Sequence, residues 1–208
     1  MPKREAPVNH LQHYLPPDTF EPVLQYLNQH KVHLTIARER KSILGDYRHR
    51  THHDHHRISV NGNLNVYSFL ITLLHELAHL LTFEQHGNRV QSHGREWKLI
   101  YAQLLDQFLK NKKFPADIEY ELLQSLKNPA ATSCAEDDLL RVLRRYDKSK
   151  GLPLVEELPS YSLFRTDDGR VFRKGKKLRK RYQCMELATG RVYLFSPVYE
   201  VEAVSQTG

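Results

Sequence analysis

The stretch His75-Glu76-Leu77-Ala78-His79 sets two imidazoles four residues apart, with a carboxyl group beside the first. On a helix, residues at that spacing project from one face, one turn above the other. Two neutral imidazoles so placed can share one zinc ion, at about 2.0–2.1 Å per nitrogen. Glu76 lies about 100° round the helix from His75, too far round to be a further ligand of the same ion. It is well placed to hold a water on that ion and take its proton. The chain contains 13 histidines, so the bare H-E-x-x-H pattern is only moderately specific, and its surroundings matter. The helix is apolar nearly all round: Phe69, Leu70, Ile71, Leu73, Leu74, Leu77, Ala78, Leu80 and Leu81. Its exceptions, Ser68, Thr72, His75, His79 and Thr82, share one stripe about 80° wide at 100° per residue. Buried polar groups without partners are costly, and a metal with its water supplies partners. The competing reading is a pair of structural histidines satisfied by the fold.

A catalytic zinc commonly takes three protein ligands and keeps its fourth position for water. Three residues downstream compete to be the third. His86 lies seven residues past His79 and serves only if the chain folds back at once. His93 opens a second helical stretch, Ser92-His93-Gly94-Arg95-Glu96-Trp97, and Gly87–Gln91 lets the chain turn to bring that helix end back to the first. Glu96 is the carboxylate alternative. A different class of protein, a nucleic-acid binder with a structural zinc, would close the site with a fourth ligand, Glu96 or one of the histidines at 49–56.

These residues need elements to position them. Phe20, Val23, Leu24, Tyr26 and Leu27 repeat at helical spacing after Asp18 or Thr19 as a cap, with Pro22 in the first turn. Strand-like text follows at Val32–Ala37, Ser42–Arg48 and Arg57–Asn61, closed by the turn signal Asn61-Gly62-Asn63. Asn65 is a cap for the long helix, which runs to about Glu84 and is ended by Gly87. The next helix spans Ser92 to Lys110, with Trp97, Ile100, Tyr101, Leu104, Leu105 and Phe108 on its buried side. Two shorter helices follow, around Ile118–Leu126 and after the capping-box pair Ser133/Glu136. Beyond Pro159 the period becomes two, and hairpins are expected around Asp167-Asp168-Gly169 and Thr189-Gly190, with Pro197 as the stop.

The net charge of +7 and pI near 9.4 suggest a polyanionic partner. Arg173-Lys174-Gly175-Lys176-Lys177-Leu178-Arg179-Lys180-Arg181 holds seven basic residues in nine, between two expected strands. As an exposed loop or strand edge it attracts phosphates without reading sequence; Phe172 and Tyr182 beside it could stack on bases, with core packing the favoured use of both. Arg38, Arg40, Lys41, Arg48 and Arg50 add charge near the first sheet. The histidines at 49, 52, 53, 55 and 56 suggest a solvated segment, with an accessory metal site or a phosphate-binding edge as alternatives. Cys134 and Cys184 are too few for a disulfide framework or a four-cysteine zinc site and suit packing positions. No apolar run reaches 18 residues, and no hydrophobic segment follows the first residues. The expectation is a soluble, cytoplasmic protein with no membrane partner.

Ile58-Ser59-Val60-Asn61, then His75–His79, then His93-Gly94-Arg95-Glu96-Trp97-Lys98 together resemble the SprT-like metalloproteases, the group that includes the Spartan-type proteases clearing proteins crosslinked to DNA. Leu44-Gly45-Asp46-Tyr47-Arg48 is similar to the family's strand just upstream. The resemblance covers roughly residues 19–110. It implies an α+β, zincin-like fold: an N-terminal helix, a small mixed or antiparallel sheet, the active-site helix and a second ligand helix. It also implies one catalytic zinc on His75, His79 and His93, with Glu76 as general base. The substrates it implies are proteins associated with nucleic acid, DNA above all. Many members end in a four-cysteine zinc ribbon. Here the terminal hairpins are similar in strand pattern, but only Cys184 remains, so a second, structural zinc is not expected and Leu163, Phe172, Tyr182, Met185, Tyr193 and Phe195 must hold the module. The organisation expected is a flexible arm at 1–18 whose later part (Leu11, Tyr14, Leu15) can pack on the domain, a catalytic domain at 19–115, a helical connector at 116–153 and a small β module with a basic loop at 154–208. Tyr47 and Tyr101 are candidates to stabilise the oxyanion, with nothing to choose between them.

Overall fold

In the computed structural model, which describes residues 8–40, 42–50, 54–126, 134, 136–149 and 151–204, the chain divides into two units, Met1–Tyr146 and Asp147–Gly208. The first opens with a 3-10 turn (Val8–Tyr14) and α1 (Phe20–Gln29). Three strands follow: β1 (Val32–Ala37), β2 (Gly45–Arg48) and β3 (His56–Asn61). Four helices complete it: α2 (Val66–His86), α3 (Arg95–Lys110), α4 (Ala116–Ser125) and α5 (Asp137–Leu143). The strand order is β1-β3-β2, with β1 parallel and β2 antiparallel to β3, so β2 is an edge strand. The architecture is α+β, as the sequence implies.

α2 is apolar all round because it is surrounded. Phe69, Leu70, Ile71, Leu73, Leu74, Leu77 and Leu80 are fully buried, and Ile58 and Val60 of β3 and Trp97 and Leu105 of α3 join the same core. By length and composition alone α2 could cross a membrane, and its burial in this core accounts for that composition. Asn65 caps it as expected, its Oδ1 accepting from the Tyr67 and Ser68 amides at 3.1 and 2.9 Å. Gly87 ends it at φ 61°, where only glycine is unstrained.

The unit boundary differs from the expected organisation. Ile118 and Leu122 of α4 and Leu139, Val142 and Leu143 of α5 lie buried in the same core as α2 and α3. The connector expected at 116–153 is therefore part of the first unit as far as Tyr146. An amphipathic helix must bury its apolar stripe, and the domain's core is where these two do so. The later part of the arm at 1–18 packs on the domain as its apolar residues suggest, with Leu11 and Leu15 buried and Tyr14 against the same core. Glu136 precedes α5 without a side-chain cap, and Ser133 lies outside the described residues.

The second unit is one antiparallel sheet ordered β7-β6-β5-β4-β8, built from β4 (Leu163–Arg165), β5 (Val171–Leu178), β6 (Arg181–Glu186), β7 (Val192–Phe195) and β8 (Glu202–Val204). Val155, Leu158, Phe164, Phe172, Cys184 and Val201 form its core. β8 was not legible because Pro197 reads as a stop; the chain turns there and returns alongside β4. The basic run is not a loop between strands. It is the strands themselves, joined by the two-residue turn Arg179-Lys180 with Arg179 at φ 38°. Ladder hydrogen bonds are made by the backbone, so pairing persists where the apolar alternation has vanished.

Candidate metal centre and cleft

α2 and the turn before α3 bring three imidazoles to one point. Nε2 of His75 lies 3.2 Å from Nε2 of His79 and 3.3 Å from Nε2 of His93. A tetrahedral ion with bonds of about 2.0–2.1 Å separates its nitrogens by about 3.3–3.4 Å. The side chains present therefore fit a metal of zinc's size. Burial lowers all three pKa values. His75 falls to about 3, with the neighbouring charges of His79 and His93 adding to the effect, and His79 falls to about 4, helped by His93. His93 is lowered by burial and then by Lys98. All three are accordingly neutral near pH 7, the form that ligates a metal.

Among the described residues these are the only three His, Cys, Asp or Glu side chains whose ligand atoms lie within 4.8 Å of one another. His86, at the end of α2, and Glu96, in the first turn of α3, stand outside the group. The histidines at 49–56 do not assemble either. His49 stacks on Phe83 at 4.5 Å, His55 faces His33 at 5.4 Å, and His52 and His53 lie outside the described residues. His56 is fully buried, and its Nδ1 lies 2.9 Å from the Tyr47 hydroxyl. The polar stripe on α2 is also not all site: Thr82 donates back to the Ala78 carbonyl at 2.7 Å.

Glu76 is buried against β2. A Cβ on Gly45 would lie 2.6 Å from Glu76 Oε1 and 2.8 Å from Thr72 Cγ2, so only glycine lets the strand approach the carboxyl group this closely. Burial, and then the nearby charge of Asp46, push the Glu76 pKa up to about 8. Glycine inside a strand pattern is the signal that could have marked Gly45 in advance. A cleft of about 410 Å³ opens over the site, lined by residues 42–47 of the β2 edge, by His75, Glu76 and His79, and by Ser92 and His93. The loop leading into β2 is held by Asn61, whose Nδ2 donates to the Arg40 and Ile43 carbonyls at 3.1 and 3.0 Å. Arg40 in turn donates to Asn61 Oδ1 and Ser59 Oγ at 2.8 and 3.0 Å, which makes it a structural residue. Arg48 pairs with Asp46 at 2.8 Å, and Lys41 lies outside the described residues. Of the two tyrosines considered for the oxyanion, Tyr47 lines the cleft and Tyr101 is buried behind His75.

A family model described as SprT-like matches residues 18–119. Those residues are a SprT-like domain. Comparison with curated proteins and with solved structures returns no match. The matched stretch carries the three histidines, Glu76 and the β2 wall of the cleft, and α5 and the whole second unit lie beyond it.

Outside the SprT-like domain, the basic hairpin divides into two sets of residues. Arg173, Lys176, Lys177, Arg179, Lys180 and Arg181 are exposed. Lys174 is not available to a phosphate: it is 3% exposed, and its Nζ donates to the Leu158 and Glu156 carbonyls at 2.5 and 3.2 Å. A buried ammonium must be satisfied in this way. Of the two uses open to Phe172 and Tyr182, packing against the core is the one the structure has, and stacking on bases is not. Phe172 is fully buried, and the Tyr182 ring carries the Lys174 and Lys177 ammonium groups at 4.5 and 5.6 Å from its centroid. Cys134 and Cys184 are free and buried.

Proposed function

We propose that the chain is a zinc-dependent endopeptidase that cuts proteins associated with or crosslinked to nucleic acid, DNA above all, in the cytoplasm. The observation that carries this reading is the convergence of three neutral imidazoles beside a buried carboxyl group on an open cleft wall. When bound, zinc would supply a Lewis acid for the scissile carbonyl and lower the pKa of a bound water to about 7. His75, His79 and His93 would hold it through Nε2. Glu76 would take the proton of the attacking water and hand it to the leaving amine. β2 offers unpaired backbone groups along the cleft to an extended substrate segment. The exposed cations of the β5–β6 hairpin support a nucleic-acid partner through phosphate contacts.

The test is digestion of casein or histone by the full chain, with and without DNA. Cleavage should cease on chelation and return with zinc. A zinc-loaded chain that cuts neither protein under any of these conditions, and whose metal carries a fourth protein ligand, would be a structural-zinc protein instead. The hairpin is tested separately by DNA binding across a salt series. Neutralising Lys176, Lys177, Lys180 and Arg181 together should weaken binding at least tenfold. Each lost phosphate contact should flatten the log–log salt slope by about 0.9. An unchanged slope would reduce the hairpin to a solubility device.

A further inference from the structure

His75 and His79 are fixed by a buried helix, but His93 comes from the short turn ahead of α3 and is only half-buried. Something other than helix geometry must set its ring. Trp97, four residues on and fully buried, touches every ligand: its ring centroid lies 4.8 Å from that of His93, 4.6 Å from His75 and 5.3 Å from His79. Behind it the Tyr101 ring is stacked at 5.0 Å and 19°. Among the described residues, the ring contacts of His93 are with the other two ligands and with this indole. Trp97 Nε1 is also buried with no hydrogen-bond partner. That costs free energy which an aliphatic or phenyl group filling the same space would not incur.

We propose, resting on the metal-site reading above, that Trp97 is a positioning residue. Its indole, set nearly perpendicular to the His93 ring, is the wall that holds this loop-borne imidazole in register with the helix-borne pair, so that the site is pre-organised for a metal. It contacts ligands and no reacting atom. A preset ring lowers the ordering cost of binding, and supporting contacts of this kind are worth about 10–100-fold in metal affinity.

The experiment measures zinc affinity by chelator competition for the full chain, Trp97→Leu, Trp97→Phe, His93→Ala and the double variant Trp97→Leu/His93→Ala. Trp97→Leu should weaken zinc binding by about 10–100-fold, and Trp97→Phe, which keeps an aromatic wall, by less than about tenfold. The deciding comparison is the double variant: with His93 gone, removing the indole should cost little more, because contacting residues are non-additive. An equal loss with and without His93 would make Trp97 a general packing residue and overturn the proposal. So would wild-type affinity in Trp97→Leu. If Trp97→Leu does not fold, the wild-type protein still decides. Trp97 is the only tryptophan in the chain, so its emission must change as zinc is titrated in; silent emission at saturating zinc would refute contact with a loaded site. A chain that binds no zinc at all fails the metal-site reading itself, which separates the two failures.

Discussion

Glu76→Gln should leave zinc bound and abolish peptide cleavage. A positioned general base contributes about 10²–10⁴ to the rate, and kcat/KM for casein should fall by at least that range. The substitution suits the question because of where the carboxyl group sits. Glu76 is buried against Gly45, and its pKa is raised to about 8 by burial. A group whose folded pKa stands above its unfolded value is ionised more readily in the unfolded chain. Glu76 therefore withdraws stability from the metal-free fold as pH rises from about 4.5, the ordinary value, through about 8. Glutamine has the same shape and no charge to bury. The metal-free variant should melt no lower than wild type at pH 7 and higher at pH 8–9, as read by circular dichroism. Loss of activity with equal zinc content and an equal or higher melting temperature assigns the effect to chemistry. Residual activity within a few-fold of wild type would remove Glu76 from the mechanism.

The helices were legible wherever their apolar period was intact, and so was the cap at Asn65. The placing of two imidazoles on one face of α2 followed from spacing alone. The third did not, since His86, His93 and Glu96 differ only in how the chain turns after Gly87, and a turn's direction is set by tertiary packing. Trp97 read as an ordinary core residue because period identifies a buried face without saying what it is buried against. Gly45 stood out as a glycine inside strand-like text, but that says nothing of what approaches it. Its role depends on a helix that lies in the next part of the chain. The basic hairpin misled for the opposite reason. Lysine and arginine there suggest a loop, yet one of them, Lys174, is a buried staple and the rest ride on paired backbone. Charge pattern reports solvent exposure on average and says nothing of a particular strand's pairing.

His93→Ala should weaken zinc binding far more than loss of either rival ligand. Structural zinc sites bind with apparent free energies of about 10–16 kcal/mol over four ligands, so one imidazole corresponds to about 2.5–4 kcal/mol, or roughly 10²–10³ in Kd. The Nε2 atoms of His75 and His79, 3.2 Å apart, should still hold the ion weakly. At zinc concentrations that just saturate wild type the variant should be largely unloaded and inactive. Its melting temperature should also rise less on adding zinc, because a ligand stabilises the fold only in proportion to RT ln(1 + [L]/Kd). Glu96→Gln and His86→Ala should bind zinc as wild type does, since neither side chain belongs to the group of three. These measurements belong at pH 7 or above. Burial holds His75 and His79 at about 3 and 4, so in the folded protein they stay neutral well below that pH, while the unfolded chain takes up protons as pH falls through about 6.5. These two histidines therefore withdraw stability from the metal-free fold below about pH 6.5, opposing the gain from Glu76, and zinc loss at pH 5 must be read beside circular dichroism to separate it from unfolding. If Glu96→Gln loses zinc at pH 7 and His93→Ala does not, the third ligand is the carboxylate and the turn before α3 must rearrange when the metal binds.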